Sequence, residues 1–265
     1  MGGIHRTGVG CFTTRRRAVL SQHKVKLLCI ALVAGCGVAG AQVSVSNTRL
    51  VFPAGPKHVE FALTNESKQS QTIRAWVDYG DAQVAPDDIQ APFFVVPPVS
   101  KIEPGRKQTL RISYTGENLP AGQESLFYLN ILNLAPASEI KDGQNSMRLN
   151  ARSRFKIFFR PAALSGNPLD AAQQLVWRLN PADPAARLTA NNPSPYFLSL
   201  VRVRLMRGQQ VLQELESGMA APFGSASFPL QAQGSDPRGA TSVQYQYIDD
   251  YGLHRDCEFV LNTPG

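Results

Sequence analysis

Chemistry in this chain would have to come from charged side chains set among aromatics. The densest such setting is Met147–Pro161, MRLNARSRFKIFFRP. Lys156 and Arg160 lie there among Phe155, Ile157, Phe158 and Phe159. Charges in such surroundings need partners. A lysine that faces a cleft without a protein partner would suit the carboxylate of a guest. Arg148, Arg152 and Arg154 read instead as the charged protection of an exposed strand edge. Little else competes. Past the first 41 residues the histidines are His58 and His254, far apart and with no Cys/His cluster of ligand spacing, so no zinc motif exists. There is no phosphate-cradling glycine loop, no GxSxG elbow and no HExxH. Asp87-Asp88 and Asp249-Asp250 are adjacent pairs. Neighbours on a strand face opposite ways, so neither pair can flank a substrate by itself. Asp87 and Asp88 read as solvated turn acids. The expectation is a protein without catalytic residues, metal or cofactor.

The element that must position Lys156 and Arg160 is a strand. With period two, Met147, Leu149, Ala151, Ser153, Phe155, Ile157 and Phe159 share one face. Arg148, Asn150, Arg152, Arg154, Lys156, Phe158 and Arg160 share the other. Pro161 cannot donate to a ladder and ends the run. Such a strand is long against the usual length of about 5–6 residues. An overhang with an apolar stripe is a sticky edge that most proteins suppress. Along that stripe we expect a division: the Phe-rich end packs inside its own domain, and the Met147–Ala151 end stays accessible.

Residues 1–41 read as a secretory signal. They carry six of the 27 basic residues and no acidic one, then an apolar run from Leu27 to Val38, then the small-x-small site Ala39-Gly40-Ala41. Cleavage before Gln42 is expected. Two rival patterns overlap it: Val33-Ala34-Gly35-Cys36 resembles a lipobox, and Thr14-Arg15-Arg16-Arg17 faintly resembles a twin-arginine signal. Without the segment the chain holds 21 basic against 20 acidic residues, so the overall charge of +7 gives no support to nucleic-acid binding. Cys11, Cys29 and Cys36 leave with it. Cys257 remains alone, which rules out an intrachain disulfide in the mature chain. It reads as a buried small hydrophobe.

Short apolar runs recur about every dozen residues between Pro, Gly and Asn turns, which predicts an all-β sandwich architecture. The first half yields seven strands: Val43–Phe52, His58–Asn65, Gln71–Tyr79, Phe93–Val96, Gln108–Tyr114, Ser125–Asn133 and Met147–Phe159. Ala162–Pro168 reads as a hinge. The second half yields Leu175–Leu179, Arg187–Asn191, Phe197–Arg207, Val211–Leu215, Ala226–Pro229, Ser242–Ile248 and Cys257–Leu261. Residues 42–163 and 164–265 are therefore expected to form two immunoglobulin-like domains.

Several blocks together give a resemblance. Thr48-Arg49, PPVSKIEPG at Pro97–Gly105, ESLFYLNI at Glu124–Ile131, FKIFFRPA at Phe155–Ala162, NPSPYF at Asn192–Phe197 and IDDYG at Ile248–Gly252 occur in this order. The chain resembles the PapD-like periplasmic chaperones of the chaperone–usher pathway over nearly all of its mature length. The resemblance implies two immunoglobulin-like β-sandwich domains in a boomerang arrangement, with a cleft between them. It implies a chaperone that lends its last first-domain strand to a pilin subunit and delivers that subunit to an outer-membrane usher. It implies that Arg49 and Lys156 hold the pilin's terminal carboxylate, that Met147, Leu149 and Ala151 are the donor-strand plugs, and that Glu124, Arg160 and Asp250 form interdomain ion pairs.

Some positions depart from the family pattern. Ala151 and Ser153 are small where larger plugs are frequent. The connection from Ala135 to Ser146 looks like the short-loop subfamily. The frequent second-domain disulfide is absent. An exposed donor strand also leaves room for self-association. The alternative from another class is a structural immunoglobulin-like pilus component or adhesin, which would not need Arg49 and Lys156 facing one cleft.

Overall fold

The computed structural model describes residues 43–81, 83–134, 150–180, 187–231 and 234–261. The expected signal segment and the plug positions Met147 and Leu149 lie outside these residues. Four sheets account for the described strands.

The first sandwich is built from nine strands. One sheet orders β1 (Val43–Val45), β3 (His58–Asn65), β7 (Lys107–Tyr114) and β5 (Phe93–Val96) as β1-β3-β7-β5. The other orders β2 (Arg49–Pro53), β9 (Ala151–Arg160), β8 (Ser125–Leu134), β4 (Gln71–Asp78) and β6 (Val99–Ile102) as β2-β9-β8-β4-β6. The inner faces meet in a core with Phe52, Phe61, Leu63, Ile73, Leu110, Phe127, Leu129 and Ile157. Its aromatic members interlock, with Phe93 and Phe127 centroids 4.8 Å apart and Tyr114 and Phe159 4.6 Å apart.

Two details correct the expectation. Val43–Phe52 is not one strand. The chain breaks at Ser46–Thr48, polar residues that favour turns, and crosses from one sheet to the other. β1 pairs antiparallel with β3, and β2 pairs parallel with β9. Val99–Ile102, absent from the expected strands, is a strand laddered to β4.

The second sandwich packs β10 (Val176–Asn180), β11 (Arg187–Asn191) and β15 (Ser225–Pro229) against a sheet of β13 (Gln210–Leu215), β12 (Leu198–Arg207), β16 (Ser242–Ile248) and β17 (His254–Val260), with β14 (Gly218–Ala220) paired to β12. Trp177, Leu188, Leu200, Val203, Leu205 and Val243 fill its core. Cys257 is half-buried at the margin of that core rather than inside it. The expected hinge, Ala162–Pro168, leads into a short helix α1 (Pro168–Ala171), with Pro at its start and the Asn167 side chain accepting from Leu169 N.

β9 holds the two sandwiches in its two faces. Ile157 and Phe159 enter the first core. Phe158, assigned by period to the polar face, is only 3% exposed, because Phe197 of the second sandwich covers it at a centroid distance of 5.9 Å. The face alternates as expected, but its far end meets a second domain instead of water.

Candidate functional site

The site lies where β2 starts. Arg49 and Lys156 are register partners across the parallel β2–β9 ladder, so their side chains rise side by side on the outer face. Both are turned toward the second sandwich. Arg49 Nη1 donates to Ile248 O at 2.8 Å, and its guanidinium sits 5.9 Å from the Phe158 ring centroid. Lys156 Nζ donates to Ser199 Oγ at 2.9 Å. Arg49 is 7% exposed, and its buried Nε makes no hydrogen bond. Among the described residues neither cation forms an ion pair. Burial, and then the positive Arg49, pull the Lys156 ammonium below the ordinary lysine range. Burial likewise lowers Arg49, with Asp250 and Asp249 opposing at longer range. Two desolvated cations kept side by side are complementary to an anion.

Two turns of the second sandwich shape this place. In Ile248–Gly252, Asp249 is buried and accepts from Tyr251 N at 3.0 Å, Leu253 N at 2.9 Å and Arg255 Nε at 2.9 Å. Burial opposes its ionisation, but the bonds from Leu253, Arg255 and Tyr251 prevail and hold the carboxyl below the usual range. Gly252 closes the turn at φ +81°, where a Cβ would lie 2.9 Å from Thr48 Oγ1. In the Asn192–Phe197 turn, Asn192 Nδ2 donates to Tyr196 O at 2.7 Å, and its Oδ1 accepts from Ser194 N at 3.0 Å.

Those turns present partners to Arg160. Its Nε donates to Glu124 at 2.7 Å, and Nη1 and Nη2 reach the two Asp250 oxygens at 2.7 and 3.0 Å. The guanidinium also lies 5.2 Å from the Tyr196 ring centroid. Glu124 is 1% exposed and accepts from Phe197 N at 2.8 Å, while its own N donates to Pro195 O at 2.9 Å. Residues from three distant segments thus meet at one junction.

Of the expected plug positions, Ala151 is described, and it is exposed at the start of β9. β2 runs beside Lys156–Arg160 only; Ala151–Phe155 extends past it, with β8 as ladder partner. Arg152 and Arg154, read as edge protection, are paired instead. Both reach the buried Asp78 of β4, at 3.0 and 2.9 Å. Neither Asp78 nor Ser199 stood out in the sequence. Two arginines two apart on one strand face call for an acid, but only the strand order says which one.

Comparison with known proteins agrees with this architecture. Residues 42–165 match the family described as pili and flagellar-assembly chaperone, PapD N-terminal domain, and residues 170–259 match the C-terminal domain of the pili assembly chaperone PapD. The chain is 36% identical over 219 residues to the chaperone protein FimB/FhaD of Bordetella pertussis, covering 81% of this chain and 86% of that one. The CupB2 chaperone of Pseudomonas aeruginosa aligns with a TM-score of 0.70 at 34% identity, over 83% of this chain and all of its own. The SafB chaperone of Salmonella enterica, solved in complex with the SafA pilin, aligns with a TM-score of 0.68 at 25% identity, over 85% of this chain and 99% of its own. These relatives are chaperones rather than enzymes, and this chain belongs to the PapD-like family of pilus-assembly chaperones.

Proposed function

We propose that this protein is a periplasmic chaperone that captures pilin subunits by donor-strand complementation and delivers them to an outer-membrane usher. The observation that carries this reading is the pair Arg49 and Lys156: two desolvated cations, with no ion-pair partner among the described residues, at the point where β2 stops flanking β9. A guest chain ending there would bring the missing anion as its terminal carboxylate. A bound carboxylate would offset both the desolvation and the repulsion from Arg49 that lower the Lys156 pKa.

The geometry also gives the guest a direction. β2 begins at Arg49 and runs parallel to β9. A guest strand with its carboxylate at Arg49 and its body beside Ala151–Phe155 would be collinear with β2, and so parallel to β9. Ala151 and Ser153 share a face with Phe155 and are exposed. With Met147 and Leu149 as the further plugs, that face would enter the guest's apolar groove. Anchoring the carboxylate sets the register, since a one-residue slip would present the arginines instead. The SafB complex supports a pilin as the guest. The signal pattern of residues 1–41 supports the periplasm. Delivery to an usher follows from the family's role, and Glu124, Arg160 and Asp250 hold the two domains together without touching the guest.

The test is subunit recovery. Tagged wild-type chain is purified from periplasm and the co-purifying pilin identified. Lys156→Ala and Arg49→Ala should then lose that subunit at wild-type chaperone abundance, because truncating one partner of a desolvated charge pair costs about 2–5 kcal/mol. Undiminished recovery with both variants would sink the assignment.

A further inference from the structure

The outer face of the sheet carries a second charge cluster, away from the carboxylate anchor. Asp78, at the end of β4, is 1% exposed. One oxygen accepts from Arg154 at 2.9 Å and Gly80 N at 2.8 Å. The other accepts from Arg152 at 3.0 Å and Asn130 Nδ2 at 2.8 Å. Asn130 Oδ1 in turn accepts from Arg152 Nε at 2.9 Å. The two guanidiniums lie over aromatic rings of β4 and β8, Arg152 5.0 Å from the Trp76 centroid and Arg154 4.5 Å from that of Tyr128. The cluster therefore ties β9 to β4 across the intervening β8.

Its place along β9 gives it a use. From Ile157 onward the strand is anchored by a buried inner face. From Ala151 to Phe155 that anchor fades: Ala151 and Ser153 are exposed and Phe155 is half-buried. Apolar burial cannot hold such a segment flat. The outer face substitutes three charge-assisted bonds from Arg152 and Arg154. It also enforces phase, because Arg152 and Arg154 on the outer face require Ala151 and Ser153 on the inner one.

We propose that Asp78 is a positioning residue for strand donation: through Arg152 and Arg154 it holds Ala151–Phe155 extended and in register on β8 before a guest arrives. The role rests on the donor-strand reading. A preordered segment does not bear the ordering entropy at the moment of capture, so the effect falls on capture rate.

Hydrogen exchange on the free chaperone and capture of the co-purifying pilin separate the possibilities. In Asp78→Asn, amides of Ser153–Phe155 should exchange about tenfold faster, while Ile157–Phe159 keep their protection. Capture should slow by a similar factor. Arg152→Gln with Arg154→Gln should give the same result, and adding Asp78→Asn to that pair should change nothing more. The double arginine variant also serves if Asp78→Asn fails to fold. Unchanged exchange at Ser153–Phe155 in both variants would overturn the proposal. So would faster exchange spread over the whole first sandwich, which marks a general stability role. Faster local exchange with unaltered capture would overturn the link to donation. Loss of capture in Lys156→Ala, read on the same pilin, reports separately on the donor-strand reading itself.

Discussion

At the scale of single residues, the junction around Arg160 is a buried ion pair whose two members are not equivalent. Burial pushes the Glu124 carboxyl above the ordinary glutamate range, and Arg160 opposes this without cancelling it. A folded-state pKa above the unfolded one means that the folded protein binds this proton more tightly. The contribution favours folding fully below the ordinary glutamate pKa and is lost as pH rises through the raised value. Arg160→Ala removes the main group opposing the rise and leaves a carboxylate that is 1% exposed without its cation. The cost should be about 3–5 kcal/mol at neutral pH. It should shrink as pH falls through the raised value toward the ordinary glutamate range, as Glu124 takes up its proton. Glu124→Gln keeps an acceptor for Phe197 N and leaves the Arg160–Asp250 bonds, so it should cost less. Thermal melts across that range check both claims; an Arg160→Ala penalty that does not vary with pH would exclude them.

At the scale of elements, β9 was the most legible part of the chain, and its two halves behave differently. The period-two pattern located it, and the excess of Phe near Pro161 marked the end that enters the core. Ile157 is fully buried and Ser153 exposed. Ile157→Arg should therefore destabilise the protein by about 4 kcal/mol or more, because it buries an unpaired charge. Ser153→Arg should leave the melting temperature within a degree or two of wild type yet stop pilin capture, since the arginine would enter the guest's groove. Circular dichroism melts and pilin pull-down on the two variants decide it; a destabilised Ser153→Arg would refute the division. Period alone misassigned Phe158, because alternation reports that two faces differ, not that one of them faces water. The split of β1 from β2 was illegible for a related reason. Val43–Phe52 alternates well enough for one strand, and only the pairing of β1 with β3 and of β2 with β9 reveals the crossing.

At the scale of the whole molecule, two sandwiches could be read from turn spacing, but their junction could not, since its contacts join segments far apart in sequence. Glu124 bonds to Phe197 N, Arg49 to Ile248 O, Lys156 to Ser199, and Phe158 packs on Phe197. Each sandwich has its own core, so independent unfolding would be the default for a two-domain chain. Phe158 is the largest apolar side chain of β9 committed to the junction rather than to a core, and at 3% exposure its burial depends on the second sandwich. Phe to Ala at buried sites costs about 3–5 kcal/mol. Here that loss should fall on the coupling between domains instead of on either core. We therefore expect residues 42–265 to unfold in one calorimetric transition, and Phe158→Ala to resolve two. The lower should come from the domain less stable alone, and the tryptophans, Trp76 in the first sandwich and Trp177 in the second, can assign it when each is replaced in turn by Phe. Two separate transitions in the wild type, neither moved by Phe158→Ala, would mean that the junction sets geometry without sharing stability.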